Sequence, residues 1–153
     1  MSKRSVVHST FVIERSFPAT PARVFDAFAD PKKKAKWFQG PPEWERDKQT
    51  MDFRVGGTET SIGGPKGGFV SAFTAVYQDI VPNERIIYTY EMQVDGTRIS
   101  VSVSTIELTP EGSGTHFRLT EQGAYLDGSD DGSMREHGTR EALNQLEASL
   151  TGG

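Results

Sequence analysis

A chain of 153 residues has the length of one ordinary domain, and without a cysteine it has no disulfide framework, thiolate metal site or thiol nucleophile. With 35% hydrophobic residues, 25% charged residues and a formal net charge of -4, it has the make-up of a soluble globular protein, and its acidity disfavours general attraction to nucleic acid. The basic start reaches only a few apolar residues before Glu14 and Arg15, and nothing approaches the ~18 consecutive apolar residues of a membrane span. A cytoplasmic location is expected, with no signal peptide.

The first strand is expected from about His8 to Phe17, with Phe11, Ile13, Arg15 and Phe17 on one face and Val12, Glu14 and Ser16 on the other. Thr20-Pro21 then reads as a helix start, because Thr caps free N–H groups and Pro is tolerated at the first helical position. Val24, Phe25 and Phe28 give that short helix an apolar stripe. Asp30-Pro31 repeats the device and opens a second short helix that ends near Trp37-Phe38, before Gly40-Pro41-Pro42. From Glu43 to about Gln122 the pattern is nearly all strand, above all Phe69–Ile80, Arg85–Val94, Ile99–Leu108 and Thr115–Gln122. Turn residues separate these stretches, and Asp95-Gly96 is a tight-hairpin signal. After a polar loop from Asp127 to Ser133, Thr139, Ala142, Leu143, Leu146 and Leu150 recur at helical spacing and define a last helix to about Leu150. Strands joined by short turns imply an antiparallel meander, and one domain over residues 1–153 is expected.

Several strings carry a family likeness. They are Ile13-Glu14-Arg15-Ser16-Phe17, Pro21-Ala22-Arg23-Val24-Phe25-Asp26-Ala27-Phe28, and Asp30-Pro31 leading to Lys36-Trp37-Phe38. Further on come Asp52-Phe53-Arg54-Val55-Gly56-Gly57, Ile80-Val81-Pro82-Asn83-Glu84-Arg85-Ile86, Thr120-Glu121-Gln122-Gly123-Ala124-Tyr125-Leu126, and Gly138-Thr139-Arg140 with Leu143 and Leu146. In this order over almost the whole chain, they resemble the START-like (SRPBCC) superfamily, and within it the bacterial proteins related to the C-terminal domain of the activator of heat-shock protein 90 ATPase. The resemblance implies an α+β helix-grip fold: a curved antiparallel sheet of about seven strands, two short helices after the first strand, and a long C-terminal helix. It implies no particular reaction, since such folds host many functions. Where relatives bind ligands, these are typically apolar and sit between sheet and helix.

Physics points to the same space, because a curved sheet closing on one helix leaves more volume than one helix face fills. Nine Phe, four Tyr and two Trp are available to line it or to plug it. Arg15, in phase with core residues, needs a partner. Either it pairs with Glu121, in phase with Phe117 and Leu119 on the last strand, or it holds a ligand carboxylate or phenolate. Trp37, Phe38 and Trp44 flank the exit of the short helices, as gate or as packing. Tyr88, Tyr90 and Met92 share one strand face, and alternation does not say whether that face is inside. His137, near the start of the last helix, is the one His considered as an acid or base; His8 and His116 are expected to be exposed. No catalytic residue is assigned, because none has a partner at triad spacing.

Asp127-Gly128-Ser129-Asp130-Asp131-Gly132 begins like a calcium loop but has Gly138 where the bidentate carboxylate belongs, so it reads as a solvated loop whose acids favour the next helix N-terminus. Gly63-Gly64-Pro65-Lys66-Gly67-Gly68 lacks the ending and the helix of a phosphate cradle and reads as a hairpin tip. Lys32, Lys33, Lys34 and Lys36 read as a solvated basic face. The ligand-binding candidates are therefore Arg15, Trp37, Phe38, Tyr88, Tyr90, Glu121 and His137, with no metal and no cofactor. The leading expectation is capture of a small apolar or aromatic molecule. The alternatives are an enzyme of cyclase, dehydratase or hydrolase type using Glu121, His137 or a Tyr, and a protein-interaction domain like the chaperone activator. Neither nucleic acid nor a membrane interior is an expected partner, and a homodimer stays open.

Overall fold

Strand β1 (Val6–Phe17) alternates as its sequence dictates: Phe11, Ile13 and Phe17 are buried while Val12, Glu14 and Ser16 face outward. In this computed structural model, which describes residues 4–38 and 40–151, the chain then turns into two capped helices. The Thr20 hydroxyl accepts a hydrogen bond from the Arg23 N–H at 3.3 Å and starts α1 (Pro21–Ala29), whose buried stripe is Val24, Ala27 and Phe28. The Asp30 carboxylate accepts from the Lys32 N–H at 2.8 Å and starts α2 (Pro31–Lys34). Single turns carry the chain from Lys34 to Phe38, so the regular helix is shorter than the stretch its sequence suggests.

The strands β2 (Trp44–Met51), β3 (Thr58–Pro65), β4 (Ser71–Val81), β5 (Arg85–Val94), β6 (Thr97–Glu111) and β7 (Gly114–Leu126) follow, and then α3 (Ser133–Thr151). All pairings are antiparallel, in one seven-stranded sheet of order β1-β7-β6-β5-β4-β3-β2, so the first strand lies beside the last. Asp95 and Gly96 join β5 to β6 with φ of 50° and 81°, the positive pair that a tight hairpin needs. Extra residues at Asp47, Gln78 and Ile99 shift the register and bend β2, β4 and β6, which helps to curve the sheet. The fold is the α+β helix grip that the family likeness implies.

The inner face changes character along its strands. One cross-strand row is Ile86, Ile106, Leu119 and Ile13, with Leu108 and Phe117 beyond it, and α1 covers this apolar end with Phe28. The next row reads Tyr88, Ser104, Glu121 and Phe11, and the one after it Tyr90, Ser102 and Gly123. Small and polar residues here leave the sheet floor low, and the tyrosines of β5 occupy part of the room. The buried residues accordingly fall into a main core and a smaller cluster of Phe73, Ala75 and Tyr90, with Phe38 and Tyr88 packing against both.

Helix α3 begins at Ser133, well before the apolar repeat opens at Thr139. The acids of the preceding loop start it: Asp130 accepts from the N–H groups of Met134 (3.3 Å) and Arg135 (3.0 Å), and Asp131 from that of Ser133 (2.9 Å). Leu143, Leu146 and Leu150 anchor its far half in the core, whereas its first turns reach over the polar end of the sheet. Among the described residues no helix is long and apolar enough to cross a membrane.

Candidate functional site

Between the low floor of the sheet and the first turns of α3 lies a cavity of about 480 Å³. Its walls are largely aromatic: Trp37 and Phe38 after α2, Trp44 on β2, Phe73 on β4, and Tyr88 and Tyr90 on β5. Trp37 is fixed by its indole N–H, which donates to the Ala27 carbonyl at 3.0 Å, and by edge-on packing with Phe28 (4.8 Å). Phe38 packs edge-on to Phe73 (5.1 Å) and Trp44 to Phe69 (5.3 Å). On the helix side the lining includes Met134, Arg135, Gly138, Thr139 and Ala142, and Met134, 72% exposed, stands at the rim.

A buried polar cluster interrupts the apolar lining beside β5 and β7. Glu121, 3% exposed, accepts hydrogen bonds from the Tyr90 hydroxyl (2.8 Å) and the Ser104 hydroxyl (2.8 Å). Arg135 donates to the Tyr90 hydroxyl (2.9 Å) and to Ser100 Oγ (2.7 Å), with its Nη1 3.9 Å from Glu121 Oε2. Burial raises the Glu121 carboxyl above its ordinary range, against the opposing effect of the Tyr90 and Ser104 hydrogen bonds and the Arg135 charge. Burial likewise holds the Tyr90 phenol neutral and donating.

The folded protein therefore keeps the Glu121 proton to higher pH than the unfolded chain does. Below the unfolded-chain value both states are protonated; as pH rises from there to the folded value, this group's contribution to stability falls. Glu121→Gln removes that fall. Urea unfolding from about pH 4 to about pH 7 is expected to show the variant gaining on the wild type as pH rises, and a constant difference would contradict the assignment.

A second buried cluster lies where the sequence suggests a solvated lysine run. Lys34 is only 6% exposed: its Nζ donates to Glu59 Oε1 at 2.7 Å and lies 4.6 Å from the Phe38 ring centroid. The Tyr77 hydroxyl donates to the same Glu59 oxygen. Burial lowers the Lys34 amine from its ordinary value, and the Glu59 carboxylate offsets this only in part. Lys34 reaches inward because it lies three and four residues before Trp37 and Phe38, in a coil of turns that puts all three on the cavity side.

Trp37, Phe38, Tyr88, Tyr90 and Glu121 are brought together around the cavity, with the tyrosine face of β5 turned inward. Arg15 and His137 are not among its lining residues. Arg15 does lie beside β7, but opposite Phe117, whereas Glu121 lies opposite Phe11, so the expected Arg15–Glu121 pair does not form. Arg15 instead ties β1 to α3 through Asn144 Oδ1 (2.9 Å) and the Arg140 carbonyl (3.5 Å). The His137 side chain is 78% exposed and lies 4.0 Å from Glu141, on the outer face of α3. His8 is exposed, and His116 is partly buried beside Glu14 at 2.9 Å. Arg135 and Lys34 are charged lining residues, little exposed to solvent, that the sequence alone does not place in the site. The helical stripe Leu150, Leu146, Ala142, Thr139, extended one step back, lands on Arg135, and that is the signal that marks it.

Solved structures share this architecture. An uncharacterised protein of Rhizobium leguminosarum is 43% identical, with TM-score 0.94 over 99% of this chain and 100% of its own. A Rhizobium loti protein is 45% identical, with TM-score 0.88 over 95% of this chain and 99% of its own. At 19% identity, an AHSA1-like protein from Aeromonas hydrophila shares the fold, with TM-score 0.70 over 93% of this chain and 92% of its own. No curated protein matches the chain. The family model described as Activator of Hsp90 ATPase homolog 1-like protein matches residues 18–151, and with nearly the whole chain inside that match, the protein belongs to this family of START-like domains.

Proposed function

We propose that the protein reversibly holds a small apolar or aromatic molecule in the cavity between its sheet and α3. The supporting observation is the cavity itself: about 480 Å³, walled by aromatic rings, with its polar groups gathered in a few places. Ligand pockets for small organic molecules have this size and make-up, in the range of roughly 300–1,000 Å³.

The test is thermal unfolding of the full chain with fatty acids, phenols and fused-ring aromatics. A guest present at about a hundred times its dissociation constant adds ~2.7 kcal/mol, which for a chain of this size raises the midpoint by roughly 5–10 °C. At least one class is expected to give such a shift. No shift from any class would overturn the proposal.

A further inference from the structure

Lys34 brings a primary amine to the wall of the cavity, and what that amine does there rests on the reading that the cavity admits a guest. Lys34 lines the cavity together with Phe38 and Tyr88, and its Nζ lies 4.6 Å and 6.0 Å from the centroids of those two rings. An ammonium has three N–H donors. One goes to Glu59 Oε1 at 2.7 Å, and the other two have no acceptor among the described residues. The Tyr77 hydroxyl donates to the same oxygen and helps to hold the carboxylate in place. Lys34 is the one lysine among the lining residues, whereas Lys32, Lys33, Lys36, Lys48 and Lys66 are exposed.

Burial makes this amine give up its proton more readily than a surface lysine does, and the Glu59 carboxylate beside it can take that proton. A lysine in such surroundings is a nucleophile toward carbonyl carbon. A guest carboxylate is disfavoured, because Glu59 already neutralises the ammonium and a further anion stays uncompensated away from water. A neutral carbonyl oxygen accepts a spare N–H and brings no charge.

Condensation from that contact balances. Glu59 takes one proton, and the freed nitrogen lone pair bonds to the carbonyl carbon. The carbonyl oxygen then receives that proton and a second one from nitrogen, and leaves as water. Nothing is oxidised or reduced, and the iminium keeps one N–H and the positive charge, still opposite Glu59. The product thus retains one donor, the number that Glu59 satisfies, and loses the two that had no acceptor. Water reverses the reaction, so capture stays reversible. The rings around the cavity favour a flat aromatic body behind the carbonyl.

We propose that Lys34 captures aromatic aldehydes and ketones that enter the cavity, holding them as a reversible imine on its Nζ.

The experiment treats the full chain near neutral pH with naphthaldehyde and cyanoborohydride, which fixes an imine as a secondary amine, and locates the naphthylmethyl group by peptide mass spectrometry. Lys34 is expected to be modified at least about tenfold faster than each exposed lysine. Saturation with fluorescent N-phenylnaphthylamine, which has no carbonyl, is expected to slow modification of Lys34 at least about tenfold and to leave the exposed lysines unchanged. Without the reductant, displacement of the same probe is expected to show naphthaldehyde binding at least about tenfold tighter than methylnaphthalene. In the double variant Lys34→Met with Glu59→Gln, shown to be folded by its melting curve, the two compounds are expected to bind within about threefold of each other. The labelling and protection measurements use the wild-type chain alone and so do not depend on that variant. Modification of Lys34 no faster than of Lys33 or Lys36 would overturn the imine, and probe binding in the same preparation would leave the cavity reading standing. Modification that the probe does not slow would overturn it too, because the aldehyde would then reach Lys34 from outside the cavity. Absence of both probe binding and Lys34 modification would sink both readings.

Discussion

Replacing Glu59 by alanine is expected to cost about 3–5 kcal/mol of folding stability, because it strands the Lys34 ammonium in the interior with its charge uncompensated. Lys34 and Glu59 are 6% and 5% exposed, 2.7 Å apart, and the Tyr77 hydroxyl depends on the same carboxylate. For a chain of this size the loss corresponds to a midpoint lower by roughly 10 °C in thermal unfolding. The pH dependence identifies the cause. The Lys34 amine has a folded value below its unfolded one, so between the two the unfolded state binds more protons and stability from this group rises with pH. Without Glu59 the amine sheds its proton more readily, and part of the loss is expected to return in mildly alkaline solution. The double variant Lys34→Met with Glu59→Gln removes the stranded charge and keeps an acceptor for Tyr77; it is expected to lie within about 2 kcal/mol of the wild type. A loss below about 1 kcal/mol in Glu59→Ala would mean that water reaches Lys34 and that the cluster does not fasten α2 to the sheet.

The difference between Lys34 and its neighbours shows where the sequence stops being readable. Strand periodicity, the Thr20 and Asp30 caps and the Asp95-Gly96 turn are local signals, and the fold follows them because each is set by a few adjacent residues. Lys34 belongs to a cluster of four lysines, and its inward turn depends on Glu59, 25 residues away. Glu59 itself gives no hint, because β3 is short of large apolar residues and its alternation does not mark an inner face. Arg15 was legible as an inward-facing charge, but its partner was not: strand phase gives the face, while register and the placement of α3 decide that Asn144 meets it and Glu121 does not. Arg135 falls outside the apolar repeat because a cavity-facing helix turn has no need of apolar residues. The candidate tyrosines were assigned to a common face by phase, and only the sheet's curvature around α3 shows that this face is the inner one.

Gly138 offers a way to separate occupancy of the cavity from damage to the fold. It lies in the second turn of α3, lines the cavity, and a Cβ built on it would meet no heavy atom within 4 Å. Its backbone is helical, so it needs none of the freedom that glycine provides and bears its entropic cost in full. Gly138→Ala is therefore expected to stabilise the chain by about 0.5–1 kcal/mol in urea unfolding. Gly138→Phe keeps much of that gain, since phenylalanine also exceeds glycine in helix propensity, but places a ring in the space a guest would occupy. Binding of N-phenylnaphthylamine to Gly138→Phe is expected to weaken at least about tenfold while the melting point stays level or rises. The two readouts move in opposite directions, which a general loosening of the protein cannot reproduce, since loosening lowers both. Undiminished probe binding in a folded Gly138→Phe chain would place the guest elsewhere. A fall in stability in Gly138→Ala would show that the space beside the helix is needed empty for the fold itself.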